Sequence, residues 1–135
     1  MDADPIELRA EGGSFLRMSE FEFFRDGSGG RCNVEVQSGE IFFRTPFLFD
    51  LDPFRNFVIS TCSIAENLTG LAWFGLEYEP SRVTITGTDR GHIKVSGDLY
   101  IGQEQQVVFA FDSDQSFMPP FIGSLKELLD TVANV

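Results

Sequence analysis

The chain has 135 residues and a mass of 15.1 kDa, enough for one hydrophobic core and therefore for a single domain over residues 1–135. Ten basic against 21 acidic side chains give a formal charge of −11 and an isoelectric point near 4.3, which disfavours direct binding of nucleic acid because phosphate affinity rests on Lys and Arg. No apolar run approaches the ~18 residues of a membrane helix, and the opening MDADPIELRAEGG lacks the basic flank and apolar stretch of a secretion signal, so a cytoplasmic protein without membrane contact is expected.

Residues 5–9 (PIELR) and 14–24 (SFLRMSEFEFF) alternate as strands around Gly12-Gly13, and the turn DGSGG at 26–30 separates the second from RCNVEVQ at 31–37. Ser38-Gly39 gives the two-residue spacing of a tight hairpin before EIFFR at 40–44. From Asp52 the period becomes helical. Asp52 can cap and Pro53 suits the first helical position. Phe54, Phe57, Val58, Thr61, Cys62, Ile64, Ala65 and Leu68 recur on one side, and Gly70 serves as the stop, which predicts a helix over 53–69.

Alternation resumes in LAWFGLEYE (71–79), turns at Pro80-Ser81, and continues through RVTITGT (82–88). HIKVSGDLYI (92–101) is the clearest strand, with Ile93, Val95, Leu99 and Ile101 facing one way and His92, Lys94, Ser96, Asp98 and Tyr100 the other. Asp89-Arg90-Gly91 leads into it, residues 102–105 lead out, and QVVFAF (106–111) follows as the last strand. Met118, Phe121, Ile122, Leu125, Leu128, Leu129 and Val132 form the stripe of a second amphipathic helix that reaches about Ala133. The order ββββαββββα predicts an α+β fold of about eight strands in curved antiparallel sheet, with two helices packed on it. One sheet, two sheets or a partly closed barrel all fit this pattern.

Asp112, Asp114 and Ser116 have the spacing that opens a calcium loop, but Phe117 and Gly123 stand where such a loop needs glycine and a bidentate glutamate. As a catalytic pair the two carboxylates have no His, Cys or Lys beside them. A helix junction accounts for them better, since Asp114 or Ser116 can accept from free amides at a helix start and prolines are tolerated in a first turn. His92 has neither a serine elbow nor a cysteine partner, and DGSGGR lacks the Lys-Ser ending of a phosphate loop. Cys32 and Cys62 fall on core faces and with one histidine cannot assemble a zinc or iron–sulfur site. No catalytic residue, metal or cofactor is therefore expected. Trp73, Phe74 and Tyr78 share one predicted strand and are assigned to the core, with Trp73 or Tyr100 as contact residues if exposed.

Between Lys94 and Lys126 there is no Lys or Arg, whereas Asp98, Glu104, Asp112 and Asp114 lie in that interval, so an anionic patch is expected. Three stretches, PFLFDLDPFRNFV (46–58), DRGHIKVSGDL (89–99) and FAFDSDQSFMPPFIGSLKELL (109–129), together with the order of elements over residues 5–133, resemble the WapI-like immunity proteins of bacterial polymorphic-toxin systems. The resemblance implies a small cytoplasmic antidote that binds and neutralises a cognate toxin, typically one encoded beside it. Many such toxins are nucleases with basic grooves, and an acidic protein suits such a partner. The acidic and aromatic side chains expected on outer faces, Glu77, Glu79, Asp98, Tyr100, Asp112 and Asp114, are the candidate contacts. Two rivals stand beside this. A ligand-binding or enzymatic domain needs polar groups converging on an inner face that this sequence fills with Val, Ile and Phe, and a structural subunit needs an exposed apolar patch.

Overall fold

The computed structural model describes residues 5–101 and 104–133. Strands β1 (Ile6–Arg9), β2 (Phe15–Phe23), β3 (Gly29–Ser38) and β4 (Ile41–Asp50) form one open antiparallel sheet in chain order. Helix α1 (Leu51–Asn67) leads to a second open sheet of β5 (Gly70–Gly75), β6 (Arg82–Gly87), β7 (His92–Ile101) and β8 (Gln105–Asp114), and α2 (Met118–Ala133) ends the order ββββαββββα. This is the α+β arrangement that the alternation and helical periods predict.

The two sheets bury their inner faces against each other. Leu8, Leu16, Met18, Val34, Val36, Phe47 and Phe49 come from the first, and Phe74, Val83, Ile85, Ile93, Val95 and Leu99 from the second. Phe74 is the hub. Its ring centre lies 5.1 Å from Phe47, 5.8 Å from Phe49, 5.7 Å from Phe54 and 4.8 Å from Phe57, so one side chain joins both sheets to α1. The apolar stripes of the helices close this core with Phe54, Phe57, Val58 and Ile64 from α1, and Met118, Phe121 and Leu125 from α2.

Strand β8 crosses the end of the first sheet steeply. The Phe109 ring lies tilted 5.7 Å from Phe43 on β4, the Ala110 carbonyl accepts from Ser38 Oγ at the end of β3 (3.0 Å), and Ser113 Oγ donates to the Arg9 carbonyl at the end of β1 (2.5 Å). From Phe109 to Ser113 the strand advances ~13 Å, and from β4 to β1 the three inter-strand gaps span ~14 Å, so β8 can reach both edges of the first sheet within four residues only if the two directions cross steeply.

Several boundaries differ from the sequence expectation, each for a local reason. β3 begins at Gly29, not residue 31, because a Cβ there would stand 2.1 Å from the Phe49 carbonyl oxygen, a space only glycine leaves for the pairing of Gly29 with Asp50. β4 runs past residue 44 and through Pro46 to Asp50, since it is an edge strand and one missing N–H need not interrupt the ladder. Helix α1 therefore starts at Leu51, with Asp50 at the cap position and Pro53 in the first turn instead of leading it. Leu68, not Gly70, stops the helix. It adopts a left-handed conformation (φ 64°) and donates its N–H to the Ile64 carbonyl (2.7 Å).

β5 ends at Gly75, where a Cβ would stand 2.5 Å from the Ser81 carbonyl oxygen, so Leu76 to Glu79 leave the sheet that the alternation predicts they extend. Gly102 and Gln103, half of the predicted turn after β7, lie outside the described residues. Cys32 is buried, and burial pushes its thiol pKa up to about 12, which leaves it unreactive; Cys62, placed on the core face by its spacing, is only half-buried on α1. Among the described residues no helix is long and apolar enough to cross a membrane.

Candidate functional site

The outer face of the first sheet is an ionic ladder. Register places Glu7, Arg17, Glu35 and Arg44 side by side across all four strands. Arg17 donates to Glu7 at 3.0 Å and to Glu35 at 2.9 Å, Arg9 reaches Glu7 at 2.9 Å, and Arg44 lies 3.7 Å from Glu35. A bulge between Ser19 and Glu22 holds Glu20 at φ 56°, which aims its carboxylate at Asn33 and Arg44. Arg31 pairs with Glu22 at 2.8 Å. Every carboxylate on this face thus has an arginine. Among the described residues the one ion pair elsewhere is Arg55 with Asp52 on α1, at 3.8 Å.

Burial alone raises the Glu7 pKa, but hydrogen bonds and charges from Arg9 and Arg17 outweigh it and hold the group below the usual carboxylate value. A depressed folded-state pKa contributes stability that is present above the unfolded value of about 4.3 and lost as pH falls through the folded one. Denaturation followed from pH 6 down to 2 is expected to show the protein weakening below pH ~4.3, and Glu7→Gln to flatten part of that slope. An unchanged slope in the variant contradicts a folded-state role for the ladder.

The second sheet's outer face is built differently. Its rows read Leu71–Thr86–Lys94–Asp112, then Trp73–Thr84–Ser96–Ala110, then Arg82–Asp98–Val108, with Tyr100 opposite Gln106 at one end and His92 opposite Asp114 at the other. Arg82 and Asp98 face each other directly, a placement that ordinarily makes an ion pair. They make none. The Arg82 guanidinium lies 3.9 Å from the centre of the Trp73 ring and donates to the Glu77 carbonyl (3.3 Å), with Nε buried and unpaired, while Asp98 accepts from Gln106 (2.6 Å). Among the described residues no carboxylate of this face forms an ion pair.

The predicted contact residues fall into two groups on this side. Glu77 and Glu79 lie on the loop 76–81, not on a strand, next to Asp98 and Tyr100: the Tyr100 amide donates to Ser81 Oγ at 3.0 Å, and Arg82, which follows the loop, stands opposite Asp98 in the strand register. Asp112 and Asp114 sit farther along, opposite Lys94 and His92, about 13 Å of strand from the Asp98 row. The structure therefore does not gather the six residues into one cluster. Asp114 has a local task, accepting from the Ser116 amide (2.8 Å) and hydroxyl to start the 3-10 turn before α2, and those two hydrogen bonds lower its pKa. The junction role expected for this segment is what the geometry provides.

Three features escaped the sequence pattern. Tyr78, assigned to the core, is 93% exposed. Asp50 does not cap its own helix; its Oδ2 accepts from the Glu77 amide at 2.7 Å and ties the loop 76–81 to the start of α1. Trp73, also assigned to the core, lies half-buried on the outer face with Arg82 over its ring. The one available signal for the first was Pro80, which cannot donate in a ladder and argues against a strand running through 79.

Two clefts open on the outside. One of about 450 Å³ is lined by Phe24, Arg25, Leu51, Arg55 and Val132, and one of about 370 Å³ by Glu7, Arg9, Phe15 and Arg17. Among the described residues no three His, Cys, Asp or Glu side chains are placed to share a metal ion. The fold packs its interior with aromatic and aliphatic side chains, and its two outer sheet faces differ in how their charges are paired. The chain belongs to the Immunity protein WapI-like family, whose family model matches residues 2–132. No curated protein and no solved structure matches it.

Proposed function

We propose that this chain is a cytoplasmic, non-catalytic immunity protein that acts as one domain and neutralises a cognate toxin by covering a basic surface on it. The observation that carries this reading is the contrast between the two sheets: carboxylates of the first are matched by arginines, whereas Asp98, Asp112 and the loop carboxylates Glu77 and Glu79 have no ion pair within the described residues. Uncompensated charge raises the rate of encounter with an oppositely charged protein and selects against wrong partners. A nuclease is the toxin class that fits best, since its substrate groove must be cationic to hold phosphates. Glu77, Glu79, Asp98 and Tyr100 form the centre of the proposed contact, with Asp112 and Asp114 at its far edge.

Family membership supports the immunity role, and the −11 charge supports the basic partner. The test is co-expression of the protein encoded by the adjacent gene, with and without this chain, scoring growth and copurification. Rescue of growth with a copurifying complex is the expected outcome. Rescue without a complex, or no rescue, contradicts the reading.

A further inference from the structure

The loop 76–81 joins β5 to β6, exposes Glu77, Tyr78, Glu79 and Pro80, and is held at both ends and in the middle. The Glu77 amide donates to Asp50 (2.7 Å), the Glu77 carbonyl accepts from Arg82 (3.3 Å), the Glu79 amide donates to the Leu76 carbonyl (3.3 Å), and Ser81 accepts from the Tyr100 amide (3.0 Å). Arg82 is itself fixed over Trp73. At the tip of this braced loop stands Tyr78, 93% exposed, the most exposed large hydrophobic side chain among the described residues, with a carboxylate on either side.

A tyrosine packed on nothing loses apolar stabilisation in the free protein and gains it when a partner covers it. Tyrosine is also among the residues that dominate interface energies, because its ring brings a large contact area at the cost of few rotatable bonds. Bracing the backbone beforehand removes ordering cost at the moment of binding. Arg82 adds an independent sign. Turning this cation away from Asp98 onto Trp73 leaves its buried Nε without a partner, an arrangement that costs stability and whose effect is to keep the carboxylates around Tyr78 un-neutralised.

We propose that Tyr78 is the anchor of the toxin contact, inserting into a cationic recess of the partner protein so that Glu77 and Glu79 meet its basic rim and its ring lies against Lys or Arg side chains. A recess lined by cations suits both parts of the tip, since ammonium and guanidinium groups attract aromatic faces and carboxylates alike. Asp50 serves as a positioning residue that holds the loop in the inserting conformation. This inference rests on the immunity reading above and adds to it the residue and the shape of the partner site.

The experiment measures binding of the purified chain to the protein encoded by the adjacent gene, comparing the wild type with Tyr78→Ala, Tyr78→Phe and Asp50→Asn. Tyr78→Ala is expected to weaken affinity at least about ten-fold, mainly through faster dissociation, with its salt dependence unchanged; Tyr78→Phe is expected to retain most of the affinity. Because Tyr78 is 93% exposed, its alanine variant is expected to keep the wild-type unfolding midpoint, which separates a lost contact from a lost fold. Asp50→Asn keeps a weaker acceptor for the Glu77 amide and is expected to slow association less than ten-fold. Wild-type binding with an unaltered Tyr78→Ala affinity overturns the anchor while leaving the immunity reading intact. Absence of wild-type binding at low salt overturns both.

Discussion

Phe74→Ala is expected to destabilise the protein by about 3–5 kcal/mol, the range for removing a fully buried aromatic side chain whose cavity cannot collapse. Collapse is prevented here because four rings, Phe47 and Phe49 from β4 and Phe54 and Phe57 from α1, lean on Phe74, and none can fill the space without leaving its other contacts. A loss of this size is a large part of the roughly 5–15 kcal/mol that holds a domain together. Urea denaturation should place the variant's midpoint at least ~1 M below the wild type. Ile41→Ala removes a side chain that is 58% exposed and is expected to change stability by no more than ~0.5 kcal/mol. Similar costs for the two substitutions contradict the aromatic hub as the centre of the fold.

The second large effect is on association. Reversing Glu77, Glu79 and Asp98 together to lysine shifts the formal charge by six, from −11 to −5, and places the change at one end of the second sheet. Association with the adjacent gene's product at low salt is expected to slow about 10–100-fold, since steering by complementary charge contributes up to ~10³ to on-rates. Reversal of Glu11, Glu66 and Glu127, exposed on a turn and on the two helices, produces the same shift in net charge away from the proposed contact. That control is expected to slow association less than about three-fold. Equal slowing by both triplets contradicts a localised contact and leaves only net charge.

Alternation and helical period were enough to place all eight strands and both helices, because buried faces of sheets and helices impose periods that a sequence cannot avoid writing. His92 to Ile101 is the clearest instance, with Ile93, Val95 and Leu99 buried and His92, Lys94 and Tyr100 exposed as the pattern requires. Boundaries failed where tertiary contact overrode local preference. Gly29 joins a strand because it faces the Phe49 carbonyl, and Leu68 takes a left-handed conformation two residues before a glycine that suits it better, and neither fact is carried by the neighbouring residues alone.

The candidate surface was legible in composition and largely illegible in detail. Glu77, Tyr78 and Glu79 continue an alternating run, so the pattern extends β5 through them; the strand ends earlier because Gly75 lies against the Ser81 carbonyl. Asp98 and Arg82 look like a neutral pair once their register is known, and only the geometry reveals that Arg82 turns to Trp73 and Asp98 to Gln106. Conversely, the eight charged residues on the first sheet's outer face cancel through cross-strand pairing between positions up to 24 residues apart, as in Glu20 and Arg44, a relation that a linear charge count does not contain.

The measurement that bears most directly on the immunity reading is the association rate of the wild-type chain with the product of the adjacent gene, followed by stopped flow across ionic strength. A surface acting through uncompensated carboxylates predicts fast association at low salt that falls about ten-fold or more by ~0.5 M, where screening shortens the reach of charge to a few ångströms. A rate that stays flat over that range, or no association at all at low salt, contradicts it.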